Sequence, residues 1–264
     1  MYPLMFESIL NKDVKEAWGD DRRMTVVNRG ILSKKTILRK LIASYYLEIT
    51  DHIAPVGRTL ELGSGGGFLK DYIADAITSD MVDVPGVDIV CDGTNLPFKD
   101  SSLGNIVLRG VLHHIHEPMD FFAECERVLM KGGRIIINDP YITPFSWLIN
   151  KYIHFEHCDS KADWRFKKGQ PLMDCNLALA TIIFKKRLME FQQKFPGFEI
   201  THRKHHTFFI YLLSGGYSYP ALIPGWMFGT AMFFEKLLSP LNQLFANIIF
   251  VVVEKRDAKG SFAP

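Results

Sequence analysis

Glu61, Gly63, Gly65 and Gly67 alternate with Leu62, Ser64 and Gly66 in a run that could hold a small ligand against bare backbone. Glycine permits turns and close approaches that a Cβ forbids. A dinucleotide fingerprint G-x-G-x-x-G would need a third glycine where Phe68 stands, which argues against NAD and FAD. Further on, Asp80 ends a short stretch from Ala76 that reads as a strand. An acid at that place can accept hydrogen bonds from both hydroxyls of a ribose; capping the next turn is the plainer alternative. His154, Glu156, His157 and Asp159 form a second dense group, where a side chain could remove a proton from a hydroxyl or amine. The alternative for that group is a solvated loop. His113, His114 and His116 raise the question of a metal, but the adjacent pair would diverge on a helix, so none is expected.

These residues need elements to carry them. Leu60 and Leu62 read as a strand before the glycines, and Phe68, Leu69, Tyr72 and Ile73 fall at helical spacing after them. Strands are expected at 76–80, 87–90, 105–109, 134–138, 198–206 and 248–255. Several are nearly unbroken apolar runs, as in a parallel sheet covered on both faces. Helices are expected near 6–18, over 34–52, over 121–129 and over 174–194, the last with Leu177, Ile182, Leu188, Met189 and Phe191 inward. Trp18 to Arg23 reads as a polar turn, with Trp18 or Arg23 as candidates to close over a pocket. The rhythm implies an α/β, doubly wound, mostly parallel seven-stranded sheet. Ligands of such sheets bind at the carboxyl ends of the strands, where Gly63, Asp80, Asp92, Arg109 and Asp139 fall.

The chain divides into a helical cap (1–55), a ligand-binding half (56–140), an acceptor-side segment with helix and strand six (141–206), an apolar insertion (207–247) and a last strand with tail (248–264). A length of 264 residues suits one large domain with an insertion. Thirty-one basic against 29 acidic residues leave a net charge of +2, too little to recruit nucleic acid. Four dispersed cysteines without a C-x-x-C pair argue against a zinc site or a disulfide framework. A reducing cytoplasm fits, and the first residues do not read as a secretory signal.

Glu61, Gly63, Gly65 and Gly67 together resemble motif I of the class I S-adenosylmethionine-dependent methyltransferases, a Rossmann-like fold in which this loop cradles the amino-acid end of the cofactor. The resemblance extends to Asp92-Gly93 with Leu96-Pro97-Phe98 downstream, and it implies that Asp92 accepts from the adenine amine. It also covers Val111-Leu112-His113-His114-Ile115 followed by Glu117-Pro118, a frequent companion in small-molecule members, with His114 facing the pocket. His154, Glu156, Asp159 and Trp164 are similar to an H-H-E-P-F-D stretch in a group of uncharacterised bacterial members, several from surface-polysaccharide gene clusters. Here Phe155 replaces the second histidine and His157 the proline.

The implied function is methyl transfer to a small or lipid- or glycan-linked acceptor; the alternative is a non-catalytic cofactor-binding or interaction module. Glu61, Gly63, Ser64, Gly65, Gly67, Asp80, Asp92, Gly93 and Arg109 are the expected cofactor residues. His114 and Tyr141 are expected to border the methyl group, with His154 and His157 as further catalytic candidates. No charged residue occurs from Thr207 to Phe234, yet Gly215, Gly216, Pro220, Pro224 and Gly225 break any membrane span. That stretch is expected to be an extra helical layer, a wall for a greasy acceptor, or a contact with a membrane surface or second subunit. Acceptor identity, the atom methylated and oligomeric state are not legible.

Overall fold

A computed structural model describes residues 7–65, 68–154, 156–166, 174–207 and 209–256. Seven strands, β1 (Arg58–Leu62), β2 (Ile77–Asp80), β3 (Ile89–Val90), β4 (Leu103–Arg109), β5 (Leu129–Pro140), β6 (Phe198–Thr207) and β7 (Ala246–Lys255), form one sheet in the order β3-β2-β1-β4-β5-β7-β6. The first five run parallel, and β7 enters antiparallel between β5 and β6. Leu60 pairs with both Ile77 and Ile106, and Ile106 with Ile135, which sets the register of the central strands.

Alternate residues of those strands feed two separate cores, as the two-residue period of a strand requires. Ile106, Leu108, Ile135 and Ile137 meet Phe121, Phe122, Phe184 and Phe191 on one side. Val107, Ile136, Phe250 and Val252 meet Leu38, Leu41, Ile42 and Ile49 on the other. The first layer contains α4 (Pro118–Val128) and the second α1 (Lys12–Glu16), α2 (Asp21–Lys34) and α3 (Thr36–Thr50). Chain beyond β5 adds α5 (Pro144–Tyr152), α6 (Leu179–Thr181) and α7 (Leu188–Lys194), and between β6 and β7 lie α8 (Phe209–Ser214), α9 (Phe228–Leu237) and α10 (Asn242–Phe245). No helix among the described residues is long and apolar enough to cross a membrane.

Three local expectations change. The expected polar turn ends at Asp20, whose side chain accepts from Arg23 N and caps α2, so Asp21 to Arg23 are helical. Phe68 to Ile73 form only a 3₁₀ turn over Leu69–Asp71, because the short link to β2 must return at once to the sheet edge. The expected helix over 174–194 is split by a π turn at Ile182–Lys186, which rotates the next turn and leaves Met189 exposed rather than inward. On β6, Lys204 and His206 reach α3 and pair with Glu48 at 2.6 and 2.9 Å.

Candidate active site

At the end of β1 the backbone turns through Gly63 and Gly65, with φ of +60° and +52°. A Cβ on Gly63 would lie 2.5 Å from Val111 Cγ2, so this corner requires glycine both for its conformation and for its space. Gly65 N–H donates to Asp80 Oδ2 at 3.0 Å and Val82 N–H to Asp80 Oδ1 at 3.2 Å. Ser64 N–H donates to Ser79 O, which stitches the corner to β2. Burial raises the Asp80 pKa, while those two backbone donors pull against the rise. Behind the corner, Tyr46 OH donates to Glu61 Oε1 at 2.7 Å and Arg109 Nε donates to Tyr46 Oη at 3.3 Å. Glu61 Oε2 is buried with no hydrogen-bond partner among the described residues, and burial raises its pKa.

Two cavities flank this corner and adjoin at Gly63 and His114. The first, about 110 Å³, is lined by Asp80, Met81, Asp92, Gly93 and Val111. Asp92 Oδ1 also accepts from Thr94 N at 2.9 Å, so the turn reading and the pocket reading of this acid both apply. The second, about 260 Å³, is lined by Ser64, Gly65, Arg109, His113, His154 and Glu156, among others. His114 Nδ1, Asn138 Nδ2 and Asn247 Oδ1, all from its wall residues, are buried without a partner among the described residues. Orphaned polar atoms of this kind call for a polar ligand or water.

A line of charge runs into the second cavity from the end of β5. Asp139, fully buried, accepts from the N–H groups of Leu112 and His113 at 3.1 Å and lies 3.2 Å from His113 Nδ1. His113 Nε2 stands 3.7 Å from Glu156 Oε2, and His154 Nδ1 is 3.8 Å from the same oxygen. Glu156 N–H points to His154 Nδ1 at 3.3 Å. Burial works against a charged His113, yet Asp139 and then Glu156 outweigh it and hold its pKa above the ordinary 6.5. Burial, reinforced by His113 and His116, drives His114 well below that value. His154 is also lowered by burial, with Glu156 opposing.

His113 and His114 do not diverge as a helix would make them. They sit on a 3₁₀ turn (Leu112–His114) with rings 4.0 Å apart, and His113, His114 and Glu156 place ligand atoms within 4.8 Å of one another. That spacing could take a metal ion, but a raised His113 pKa favours a proton in competition with it.

Residues 60–137 match the family model described as a methyltransferase domain. The chain carries a class I S-adenosylmethionine-dependent methyltransferase domain. An uncharacterized protein of Methanocaldococcus jannaschii is 33% identical over 106 residues, 37% of this chain and 52% of that protein. The demethylmenaquinone methyltransferase of Renibacterium salmoninarum is 28% identical over 116 residues, 38% and 49% of the two chains. The chain thus spans about half the length of these curated relatives. Among solved structures, a geranyl diphosphate methyltransferase in complex with SAM superposes with a TM-score of 0.52 at 15% identity, covering 93% of this chain and 96% of that one. A Haemonchus contortus phosphoethanolamine N-methyltransferase 2 superposes at 0.51 and 14% identity, covering 93% and 60%. At such identities the likeness concerns the fold.

Within the methyltransferase domain and its additions, the expected residues separate. Glu61, Gly63, Ser64, Gly65 and Arg109 gather at the corner, Asp80, Asp92 and Gly93 line the first cavity, and His114 stands at the junction. Gly67 lies outside the described residues. His154 reaches the second cavity, whereas the exposed His157 lines an adjoining outer depression, which shares Asn150, His154 and Glu156 with that cavity. Tyr141 lines neither: its N–H donates to Asn247 O at 2.6 Å and its buried ring packs on His205 at 4.5 Å. Trp18 and Arg23 are likewise away from the cavities, and Arg23 pairs with Glu16 at 3.1 Å. Thr25 and Asn28 of α2 line the second cavity in their place, followed by Tyr211 and Tyr217 of the insertion. The Asp20-Asp21 cap signal could have found the helix that carries the first pair; nothing local marks the two tyrosines.

Proposed function

We propose that this chain transfers a methyl group from S-adenosylmethionine to a small-molecule acceptor bound in the second cavity, with Glu156 as the proton acceptor. What carries the reading is the junction at Gly63 and His114: a cavity with two acids on the strand ends meets, across bare backbone, a cavity with a carboxylate between two histidines.

The residues present fit this cofactor. Asp80 and Asp92 would take the ribose hydroxyls and the adenine amine, the Gly63 corner would lie against the amino-acid end, and Arg109 would face its carboxylate. When bound, S-adenosylmethionine supplies a methyl group on a positively charged sulfur, displaced in line by a nucleophile held at about 3 Å. His114, kept uncharged by burial, adds no repulsion to a positive sulfur at the junction. His154 Nδ1 already faces the Glu156 N–H, which leaves the Glu156 carboxylate as the better acceptor. As the nucleophile bonds to the methyl carbon, its proton passes to Glu156, and His113, oriented by Asp139, steadies the carboxylate. The demethylmenaquinone methyltransferase and the phosphoethanolamine N-methyltransferase among the similar proteins both carry small-molecule acceptors in their names, which supports the small-molecule class.

Calorimetry with S-adenosylmethionine tests the first half, and no binding by folded protein at tens of micromolar ends the enzyme reading in favour of an interaction module. For the second half, methyl-labelled cofactor is incubated with cell extract and the product followed by mass spectrometry. Glu156→Gln should lower label transfer by roughly 10²- to 10⁴-fold while cofactor affinity stays within about twofold.

A further inference from the structure

A third cavity, about 370 Å³, opens from the second at Asn150, His154, Tyr211, Tyr217 and Asn247, which line both. Beyond that junction its wall comes from α5 and the insertion: Ile149, Ile153, Leu212, Tyr219, Pro220 and Leu222. No carboxylate, ammonium or guanidinium of the described residues lines it. Hydrogen-bonding side chains therefore concentrate toward Glu156, and the far end is hydrocarbon apart from Ser218 and the Tyr219 hydroxyl, which is spent on Ile153 O at 2.9 Å.

This wall is built rather than incidental. Gly215 and Gly216 turn at φ of +69° and +51°, and a Cβ on Gly215 would lie 2.2 Å from Pro220 O. Lys35 Nζ donates to Gly216 O at 2.6 Å and also to Tyr219 O, while Leu222 N donates to Leu213 O at 2.8 Å. At the open end, Leu222 is 69% and Ile9 52% exposed, an apolar rim in water.

We infer that the acceptor is an amphiphile: its nucleophilic polar head sits beside Glu156 and a single hydrocarbon chain, alkyl or prenyl, lies in this third cavity. The inference rests on the methyltransferase reading for the role of the head, but the chain site stands on its own geometry. A glycan would strand its hydroxyls against a wall that offers few partners, whereas a hydrocarbon chain fills contacts that an empty apolar cavity forfeits. The polar-to-apolar gradient also orients the occupant, since the chain held outward keeps the head at the reacting end.

The test uses the full chain and dansyl-labelled undecanoic acid as the probe, with calorimetry against S-adenosylhomocysteine on the same samples. Saturable one-to-one probe binding is expected, tightening through octyl, decyl and dodecyl analogues by about three- to fourfold per methylene buried. Leu212→Trp and Ile153→Trp, at two partly buried wall positions, should each weaken the probe at least tenfold and leave S-adenosylhomocysteine affinity unchanged. Absence of one-to-one binding, or binding that both filled variants retain, overturns the proposal. Loss of the cofactor signal alone would sink the methyltransferase reading and leave the chain site standing. Co-sedimentation with phosphatidylcholine vesicles carrying the probe separates the two sources: retention by vesicles means a membrane-held amphiphile, and binding of the monomeric probe alone means a free one.

Discussion

The two ends of the trough are made in different ways. Around Asp80 and Gly63 the wall is the rim of the sheet, and its donors and acceptors are backbone groups or acids at the strand ends, Asp80 closing β2 and Asp92 two residues past β3. Around Glu156 the wall is side chain, delivered by α2, the loop after β4, the segment after α5 and the insertion. The first end inherits its geometry from strand pairing, so few residues specify it. The second needs several distant segments to agree, which makes it the end where related chains can change acceptor without disturbing the cofactor.

Asp139 joins the two, and breaking it should do the most damage. Asp139→Ala would remove the charge that keeps a proton on His113 and would leave its buried ring Nδ1 and the Leu112 and His113 N–H groups without their acceptor. A loss of about 3–5 kcal/mol is expected in urea unfolding, with both ends of the trough impaired. A variant that keeps its midpoint would show that the ends are independent. Gly63→Ala acts on one end only: the left-handed backbone costs about 1–2 kcal/mol before the overlap with Val111 is counted. Cofactor affinity should fall at least tenfold while binding of a chain probe in the third cavity persists. Asp80→Ala is milder. It removes the acceptor of Gly65 and Val82 as well as the expected ribose partner, and cofactor binding should weaken by about 1–3 kcal/mol in calorimetry. Unchanged affinity would mean that another acid serves the ribose.

The same contrast explains what was legible beforehand. Unbroken apolar runs marked the strands, and the glycine spacing with Asp80 and Asp92 marked one rim, because short-range patterns determine both. The return from Phe68 to β2 looks like a helix in sequence because Leu69 and Tyr72 have helical spacing, although the link is too short to hold more than one 3₁₀ turn. Tyr141 and His157 suggest themselves only by following strand five in the chain. Yet β5 continues to Pro140 and pairs with β7, which turns Tyr141 toward His205, and His157 faces outward. His113 was the harder case: the sequence shows two adjacent histidines but not which one Asp139 reaches. Tyr211 and Tyr217 had no local signature, for their position depends on how the whole insertion folds back.

The smallest effect, and the sharpest test of that histidine assignment, lies in pH dependence. His113 has a folded pKa above its ordinary value, so its contribution to stability is fully present below about pH 6.5 and is lost as pH rises through the folded pKa. His114 has a depressed pKa, so its contribution is present above that value and is lost as pH falls. Urea midpoints at about pH 5.5 and 8.5 should therefore move in opposite senses for the two substitutions. His113→Gln should cost more stability at the acid pH than at the alkaline one, because it removes the ring whose proton Asp139 holds. His114→Gln should lose less, or gain, at the acid pH, because it removes a ring that acid forces to charge against burial and beside His113. If both variants moved in the same sense, the Asp139 carboxylate would not be distinguishing the neighbours, and the charged line into the second cavity would have to be redrawn.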